Sequence, residues 1–164
     1  MVEAEELGRI SDIASAVVDP EIRVVTIAEL GIFRGVMVDW DGVVHVAITP
    51  TYSGCPAMDV IRADIRTALR AAGYPKSEVK ITTDGAPWST DWITDEGRAK
   101  LAAAGIAPPS PVRQRPDVPL TLTVRCPQCG SPETEELSRF GSTACKSLWR
   151  CRSCLEPFDR VKPL

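Results

Sequence analysis

Alternation of apolar and polar residues is the clearest secondary-structure signal in the chain. The alternation runs over residues 36–40 and again over 44–48, on either side of Asp41-Gly42. A period of two is typical of half-buried strands, and Asp-Gly between two such runs indicates a hairpin whose two central residues have positive φ. We therefore predict a two-stranded hairpin over residues 36–48.

Apolar residues at helical spacing flank this hairpin. They recur between Leu7 and Val17 and between Met58 and Ala72. The first run predicts a helix that ends before Asp19-Pro20, because proline disfavours helix in the residue ahead of it. The second run predicts a helix from about Pro56 to Ala72.

The following segment predicts one more strand and one more helix. Residues 78–83 are expected to form a third strand with Val79 and Ile81 facing inward, and Thr94 is expected to cap a last helix that runs to Gly105. The order helix, hairpin, helix, strand, helix predicts an α+β fold, in which helices pack on a small sheet.

The junction between the second predicted strand and its helix carries candidate chemistry. Gly54 permits a tight turn and Pro56 suits the first helical position, so Cys55 is placed at a helix N-terminus. Unpaired N–H groups and the helix dipole favour a thiolate there, which makes such a thiol reactive or metal-seeking. A free cysteine in a turn is also often a small buried residue, and both interpretations stay open at this point.

A proline-rich segment predicts the domain boundary. Residues 105–119 contain five prolines and no periodicity, which is typical of an extended, semi-rigid linker. We predict a first domain over residues 1–105, a linker over 106–119 and a second domain over 120–164.

The second domain holds the strongest motif in the sequence. Cys126-x-x-Cys129 and Cys151-x-x-Cys154 are separated by 21 residues. Two residues between cysteines let both sulfurs approach one ion, so four thiolates can complete a tetrahedral shell. With strand-like runs at 120–124, 147–150 and 158–161, this pattern predicts a C-terminal zinc ribbon whose zinc is structural, although iron fits the same four thiolates.

Two residues of this ribbon break its pattern. Leu155 follows the second knuckle where Gly130 follows the first, so we expect the second turn to close differently. Cys145 is a fifth thiol, six residues before the second knuckle, and is a spare ligand, an exchange site or a small buried residue. Lys146 beside it favours the thiolate form.

Composition and charge narrow the class of protein. The 164 residues are 44% apolar and 25% charged, as in a soluble globular protein. The acidic first residues do not form an export signal and no apolar run reaches the roughly 18 residues that span a bilayer. Six cysteines without an export signal indicate reduced thiols and metal ligands, so we expect a cytoplasmic protein.

The charge is unevenly distributed along the chain. Residues 1–112 hold 16 acidic and 10 basic residues, whereas residues 113–164 hold 6 acidic and 9 basic residues. A mildly basic tail can dock to an acidic protein surface, but its field is too weak to indicate a nucleic-acid reader.

Five segments of the first domain occur in the order and spacing of one known family. They are Asp19-Pro20-Glu21, Glu29–Ile32, the hairpin, Thr49-x-Thr51-x-x-Gly54-Cys55-Pro56, and the loop from Pro87-Trp88 to Trp92. Residues 5–105 thus resemble the SufT-like iron–sulfur assembly domain of proteins that help load clusters onto target enzymes. The resemblance implies that Cys55 is the reactive or cluster-handling thiol, with Glu21 and Thr51 close to it. Glu29 stands where that family usually has aspartate.

The whole chain shows a narrower resemblance. The assembly-type domain, together with a ribbon that carries Phe140–Lys146 and Glu156–Asp159, resembles the PaaD (or PaaJ) family of the phenylacetyl-CoA epoxidase system. This implies a non-catalytic accessory subunit of aerobic phenylacetate degradation that matures or supports a multicomponent oxygenase, with the oxygenase components as partners. It leaves open whether a transient iron–sulfur cluster is bound, which component is the client, and whether a homodimer shares a cluster through paired Cys55 thiols.

The sequence contains no constellation typical of catalysis. It has no glycine-rich phosphate loop and no Glu-x-x-His pair for a di-iron site, and its one histidine, His45, is predicted away from Cys55. We therefore assign no catalytic residues. The alternative is a redox-active or catalytic thiol protein within the oxygenase complex.

Overall fold

The structure is a computed structural model that describes residues 3–83, 86–110 and 123–163. The chain divides into two compact units, residues 1–88 and 89–164. The predicted linker lies largely outside the described residues, since 111–119 are not among them, and the predicted domain ranges stay a prediction. No helix among the described residues is both long and apolar enough to span a membrane.

The first unit is a three-stranded sheet with two helices. Its elements are α1 (Ala4–Ser15), β1 (Phe33–Val38), β2 (Val44–Ile48), α2 (Ala57–Ala71) and β3 (Ser77–Ile81). The strand order is β1-β2-β3, with β1 antiparallel and β3 parallel to β2. Helix α1 contacts α2 and β1, and α2 contacts β3. The predicted α+β fold, with helices packed on a small sheet, is confirmed.

Strand alternation determines which face of this sheet is buried. Val44, Val46 and Ile48 are buried, whereas His45 and Ala47 between them are half-buried on the opposite face. The buried apolar side chains of α2 recur at helical spacing and belong to the same core: Met58, Ile61, Ile65 and Leu69. Val79 is buried as predicted. The prediction for Ile81 is wrong, because this last residue of an edge strand is 44% exposed.

The hairpin turn also differs from the prediction. Val38 pairs with Val44, and Gly42 alone in the intervening loop has positive φ, at +73°. The Asp39 N–H donates to the Val43 carbonyl at 3.1 Å, and the Asp39 carboxylate accepts backbone N–H groups from Asp41 and Val43. The predicted two-residue turn is therefore replaced by a three-residue loop that ends in a left-handed glycine.

The second unit combines a helix with the ribbon. After a short 3-10 helix over Thr90–Trp92, Thr94 caps α3 (Asp95–Ala103) by accepting the Gly97 N–H at 3.0 Å, as predicted. Within the described ranges four strands follow: β4 (Ile106–Ala107), β5 (Thr134–Ser138), β6 (Lys146–Cys151) and β7 (Pro157–Val161). Their order is β4-β7-β6-β5.

The sequence predicts three strands in the ribbon, at residues 120–124, 147–150 and 158–161. The runs at 147–150 and 158–161 are confirmed by β6 and β7. Of the run at 120–124, residues 120–122 lie outside the described residues and 123–124 are not in a strand. In the part of the ribbon that the structure describes, the small core consists of Ala107, Val124, Cys126, Cys151 and Phe158, so two of its buried side chains are predicted metal ligands.

Candidate functional site

The parallel pairing of β2 and β3 brings two loops to one edge of the first sheet. Because both strands run in the same direction, residues 49–56 and the described residues 82–83 and 86–88 follow the two strands at the same end of the sheet. They enclose a recess of about 310 Å³. Its lining is rich in hydroxyl groups: Thr49, Pro50, Thr51, Tyr52, Ser53, Thr83, Pro87 and Trp88. Ligands commonly bind at the carboxyl ends of parallel strands.

Backbone and side-chain hydrogen bonds fix the walls of this recess. The Thr49 N–H donates to the Ile32 carbonyl and the Thr82 N–H to the Ile48 carbonyl, both at 2.8 Å. The buried indole of Trp88 donates from Nε1 to the Leu30 carbonyl at 2.9 Å. The recess is therefore a built feature of the fold.

Cys55 lies at the end of the loop that follows β2. Gly54 has φ of +83° and turns the chain, and the Cys55 carbonyl accepts the Met58 N–H at 3.3 Å at the start of α2. The cysteine is 9% exposed, while Gly54 and Pro56 on either side are exposed. The predicted placement beside a helix N-terminus is confirmed, and the side chain is mostly covered.

The other two predicted site residues occupy different positions. Thr51 lines the recess, in the same loop as Cys55. Glu21 lies in the turn that follows α1, where the buried Asp19 carboxylate accepts the N–H groups of Glu21 at 2.9 Å and Ile22 at 2.7 Å. Among the described lining residues of the recess, neither Glu21 nor Cys55 occurs, so their cooperation stays a prediction.

Glu29 has a structural role that the resemblance did not supply. Its carboxylate accepts the Thr26 N–H at 2.8 Å, and its own N–H donates to Thr26 Oγ1 at 3.2 Å. This reciprocal pair is a capping box, and Thr-x-x-Glu is a sequence signal that could have indicated it. The capped turn contains Leu30, whose carbonyl holds Trp88 at the recess.

The four predicted ligands of the ribbon come together. The Sγ atoms of Cys126 and Cys154 are 3.7 Å apart, those of Cys129 and Cys151 are 3.6 Å apart, and all four lie within 4.8 Å of one another. A tetrahedral site with Zn–S bonds of about 2.3 Å has sulfurs roughly 3.8 Å apart. The donor set therefore fits a tetrahedral metal ion.

The electrostatics of the four thiols favour the same conclusion. The backbone N–H of Cys154, 3.5 Å from the Cys151 Sγ, lowers the pKa of the Cys151 thiol to about 6. Although the Glu156 N–H lowers it, the pKa of the Cys154 thiol is about 12, because burial and the sulfurs of Cys129 and Cys151 raise it. Four adjacent thiolates repel one another, so a bound cation is what allows all four to ionise.

The two knuckles close in the same way, which makes the expectation for Leu155 wrong. Leu155 has φ of +67° and Gly130 has φ of +74°. The hydroxyls of Ser131 and Ser153 lie 2.8 Å apart and link the two turns. The turn of the metal site therefore has a left-handed backbone conformation at position 155, although the residue there is leucine and not glycine.

Cys145 lies outside this group of ligating atoms. Its sulfur is 3.1 Å from Thr143 Oγ1, and its carbonyl accepts the Lys162 N–H at 2.9 Å. The neighbouring Lys146 is buried, with its ammonium 3.8 Å from the Asp159 carboxylate. The lysine charge therefore has a carboxylate partner within the ribbon.

Comparison with known proteins assigns the chain to a family. Residues 111–162 match the family described as PaaD zinc beta ribbon domain. The chain is 45% identical over 148 residues to the putative D subunit of 1,2-phenylacetyl-CoA epoxidase from Escherichia coli (strain K12), and the match covers 90% of this chain and 87% of that protein. The chain belongs to the PaaD family of phenylacetyl-CoA epoxidase subunits.

The first unit of this PaaD family member has relatives of its own. Residues 9–82 match the family described as iron-sulfur cluster assembly protein. The Fe-S protein maturation auxiliary factor YitW of Bacillus subtilis (strain 168) is 39% identical over 91 residues, which cover 55% of this chain and 84% of that protein. The crystal structure of a domain of unknown function, DUF59, from Bacillus anthracis matches with a TM-score of 0.51 at 25% identity, covering 60% of this chain and 97% of that chain.

Proposed function

We propose that this chain is an accessory protein that assists maturation of a metal or iron–sulfur centre in the oxygenase of a phenylacetyl-CoA epoxidase system, and that Cys55 handles the metal. The observation that carries the proposal is the position of Cys55, in the loop that forms one wall of a hydroxyl-lined recess and leads directly into α2. The relatives named for Fe-S protein maturation support an assembly-related role.

The surroundings of Cys55 suit transient binding of an anionic metal–sulfur group. The first N–H groups of α2 have no partner within the helix and carry partial positive charge, which favours negative ligands. The hydroxyls of Thr51 and Ser53 are potential hydrogen-bond donors to sulfide or thiolate at the recess. With one cysteine in this loop, a bound cluster needs ligands from elsewhere, which suits transfer better than permanent storage.

The four-cysteine site has a different role in this proposal. All four positions of a tetrahedral shell are filled by protein sulfurs, so no open position remains for substrate or water. We assign it as structural zinc, although four thiolates also accept iron. The ribbon would then be a metal-stabilised module in an accessory subunit whose partners are the oxygenase components. Reduced thiols suit a role in the cytoplasm.

A redox-active or catalytic thiol is the alternative. Such a thiol is usually activated by a neighbouring base. The single histidine, His45, instead lies between the carboxylates of Asp39 and Glu78, at 2.8 Å and 3.4 Å, on the sheet face opposite the core. We therefore favour the accessory role.

Cys55→Ala tests the proposal directly. After anaerobic reconstitution with iron and sulfide, we expect the variant to keep its fold and its zinc but to transfer iron to an apo oxygenase component roughly tenfold or more slowly than the wild type, because a first ligand is lost. Iron and labile sulfide per chain, followed by activity of the recipient component, provide the measurement.

Cys145→Ala is the matched control, since it removes a partly exposed thiol that lies outside the four-cysteine group. It should transfer iron at the wild-type rate. Wild-type transfer by Cys55→Ala would rule out the assigned role, and equal loss in both variants would show that the effect is not specific to Cys55.

A further inference from the structure

The sheet of the ribbon carries a groove on one of its faces. Leu148 pairs with Asp159 across β6 and β7, and Arg150 pairs with Pro157. Because side chains alternate along a strand, these four lie on the face opposite Trp149, which packs against the ribbon core. A groove of about 490 Å³ lies on this face, and we call it the ribbon groove. Its lining residues are Phe140, Gly141, Ser142, Leu148, Pro157, Phe158 and Asp159.

Close packing fixes the loop that forms one wall of the ribbon groove. A Cβ at Gly141 would lie 2.9 Å from Asp159 Oδ1 and 3.1 Å from the Cβ of Lys146, so only glycine fits there without a shift. The Gly141 N–H donates to the Lys146 carbonyl at 2.9 Å, and the Ser142 hydroxyl donates to the Asp159 carboxylate at 2.7 Å. The wall is therefore held against β6 and β7 on both sides of Gly141.

The same wall presents an aromatic ring to solvent. Phe140 is 78% exposed, and the Lys162 ammonium lies 5.3 Å from the centre of its ring. An aromatic side chain offers roughly 150–250 Å² for burial, so its exposure forgoes a large stabilisation. Aromatic residues are enriched at protein interfaces, which makes Phe140 a candidate anchor.

The charge left unpaired beside Phe140 is positive. Within the groove, the Asp159 carboxylate is balanced by the Lys146 ammonium at 3.8 Å. Lys162 donates from its ammonium to the Ala144 carbonyl at 2.8 Å, and Arg139 is exposed next to Phe140. Neither cation forms an ion pair with a carboxylate among the described residues.

The charges near Pro157 have the same sign. Glu135 accepts hydrogen bonds from both Arg150 and Arg152, so one carboxylate serves two guanidinium groups. Glu156, the exposed residue before Pro157, offsets one positive charge. Residues 123–163 as a whole hold seven basic and five acidic residues. The ribbon groove thus combines an apolar lining with a positive surround.

We propose that the ribbon groove docks an acidic segment of a partner protein, with one apolar side chain of that segment packed against Phe140, Leu148 and Pro157. Carboxylates on either side of that side chain would lie near Lys162 and Arg139, where no carboxylate of this chain competes for them. The identity of the partner as an oxygenase component rests on the proposed function.

The apolar lining favours a polypeptide over a nucleic acid as the occupant. Affinity for nucleic acid comes mainly from several lysine and arginine contacts to phosphates, and its salt dependence grows with their number. The ribbon groove offers two unpaired cations beside Phe140 and a lining of leucine, proline and phenylalanine. Such a site gains most from an apolar side chain, with charge adding specificity and speed of association.

Titration calorimetry of the zinc-loaded, iron-free full chain against each purified oxygenase component, under reducing conditions, tests the docking. Wild type should bind at least one component, with a Kd that rises with salt because exposed charges are screened. Phe140→Ser removes the anchor and should raise the Kd roughly tenfold or more. Arg139→Glu reverses a charge that has no ion pair to lose, so it should raise the Kd roughly threefold or more and reduce its salt dependence.

Two controls separate the groove from general effects. Val24→Ser removes an exposed apolar side chain from the first unit, and Arg125→Glu makes the same charge change at an exposed ribbon residue outside the groove lining. Both should bind as wild type does. Zinc content and circular dichroism establish that each variant is folded.

Three outcomes would overturn the docking: no component binds wild type, either Phe140→Ser or Arg139→Glu binds as tightly as wild type, or wild type binds a single-stranded oligonucleotide more tightly than any component at the same salt. Cys55→Ala should bind as wild type does, because Cys55 lies outside the ribbon. If that variant also transferred iron at the wild-type rate, the transfer role would fail while the docking stood.

Discussion

Leu155 holds a backbone conformation that few residues other than glycine adopt readily. Leu155 comes directly after the second pair of cysteines and has φ of +67°. Its side chain is 69% exposed, so little burial offsets the backbone strain. The left-handed conformation costs a non-glycine residue about 1–2 kcal/mol, and glycine costs about 0.5–1 kcal/mol in extra unfolded-state entropy. The metal site therefore holds Leu155 in place against its own preference.

Leu155→Gly should stabilise the metal-loaded ribbon by about 0.5–1 kcal/mol, because relief of strain exceeds the added entropy. Thermal unfolding at fixed zinc concentration measures the change. Leu155→Ala is the matched comparison, since it shortens the same side chain but keeps the Cβ that causes the strain. Equal stability of the glycine and alanine variants would contradict this explanation.

Single residues also differ in how far their structural role can be predicted from the sequence. The spacing of Cys126, Cys129, Cys151 and Cys154 is local, and it predicted a four-sulfur group that the structure assembles. The conformation of Leu155 depends on closing a shell with cysteines more than 20 residues away. Residue type at position 155 therefore gave no signal of it.

At the scale of elements, the Thr26–Glu29 capping box fixes the turn that precedes β1. Glu29→Ala should lower the free energy of unfolding of the first unit by about 1 kcal/mol, because it leaves the Thr26 N–H without its acceptor. It should also alter the fluorescence of Trp88, whose indole N–H donates a hydrogen bond to the Leu30 carbonyl in that turn. Urea unfolding followed by circular dichroism and tryptophan emission provides the measurement.

Glu29→Gln is the control, since glutamine retains an oxygen acceptor at the same reach and should keep most of the stability. If Glu29→Ala unfolds at the wild-type urea concentration, the reciprocal pair contributes nothing to the turn.

Elements with a strong periodic pattern were predictable, and those set by pairing were not. Helix α2 and the hairpin strands follow directly from apolar spacing. Strand β5 has the sequence Thr-Glu-Glu-Leu-Ser and no alternation, so it depends on its pairing with β6. The recess likewise requires the parallel pairing of β2 with β3, which joins Thr51 to Trp88 across a long sequence separation.

At the scale of the whole molecule, the two units draw on different sources of stability. The first buries many apolar side chains, whereas the core of the ribbon, among the described residues, has five buried members, two of which are cysteines of the metal site. Zinc binding contributes on the order of 10 kcal/mol to folding in small zinc modules. Loss of the metal should therefore affect the ribbon far more than the first unit.

Cys126→Ser should abolish metal binding and unfold the ribbon while the first unit stays folded. Metal analysis of the purified variant, combined with amide hydrogen exchange resolved along the chain, measures both effects. Cys145→Ser should retain metal and protection throughout, since Cys145 lies outside the four-sulfur group. A normal zinc content in Cys126→Ser would contradict the assigned ligand set.

The recess is built from two loops on a sheet whose strands do not contribute side chains to its lining among the described residues. Its shape can consequently diverge between homologous subunits by changes at Tyr52 or Pro87 that leave the sheet and α2 untouched. The position of Cys55, by contrast, is fixed by the start of α2, which begins two residues later. Under the proposed function, the preferred client protein can therefore change through substitutions in the recess while the position of Cys55 stays fixed.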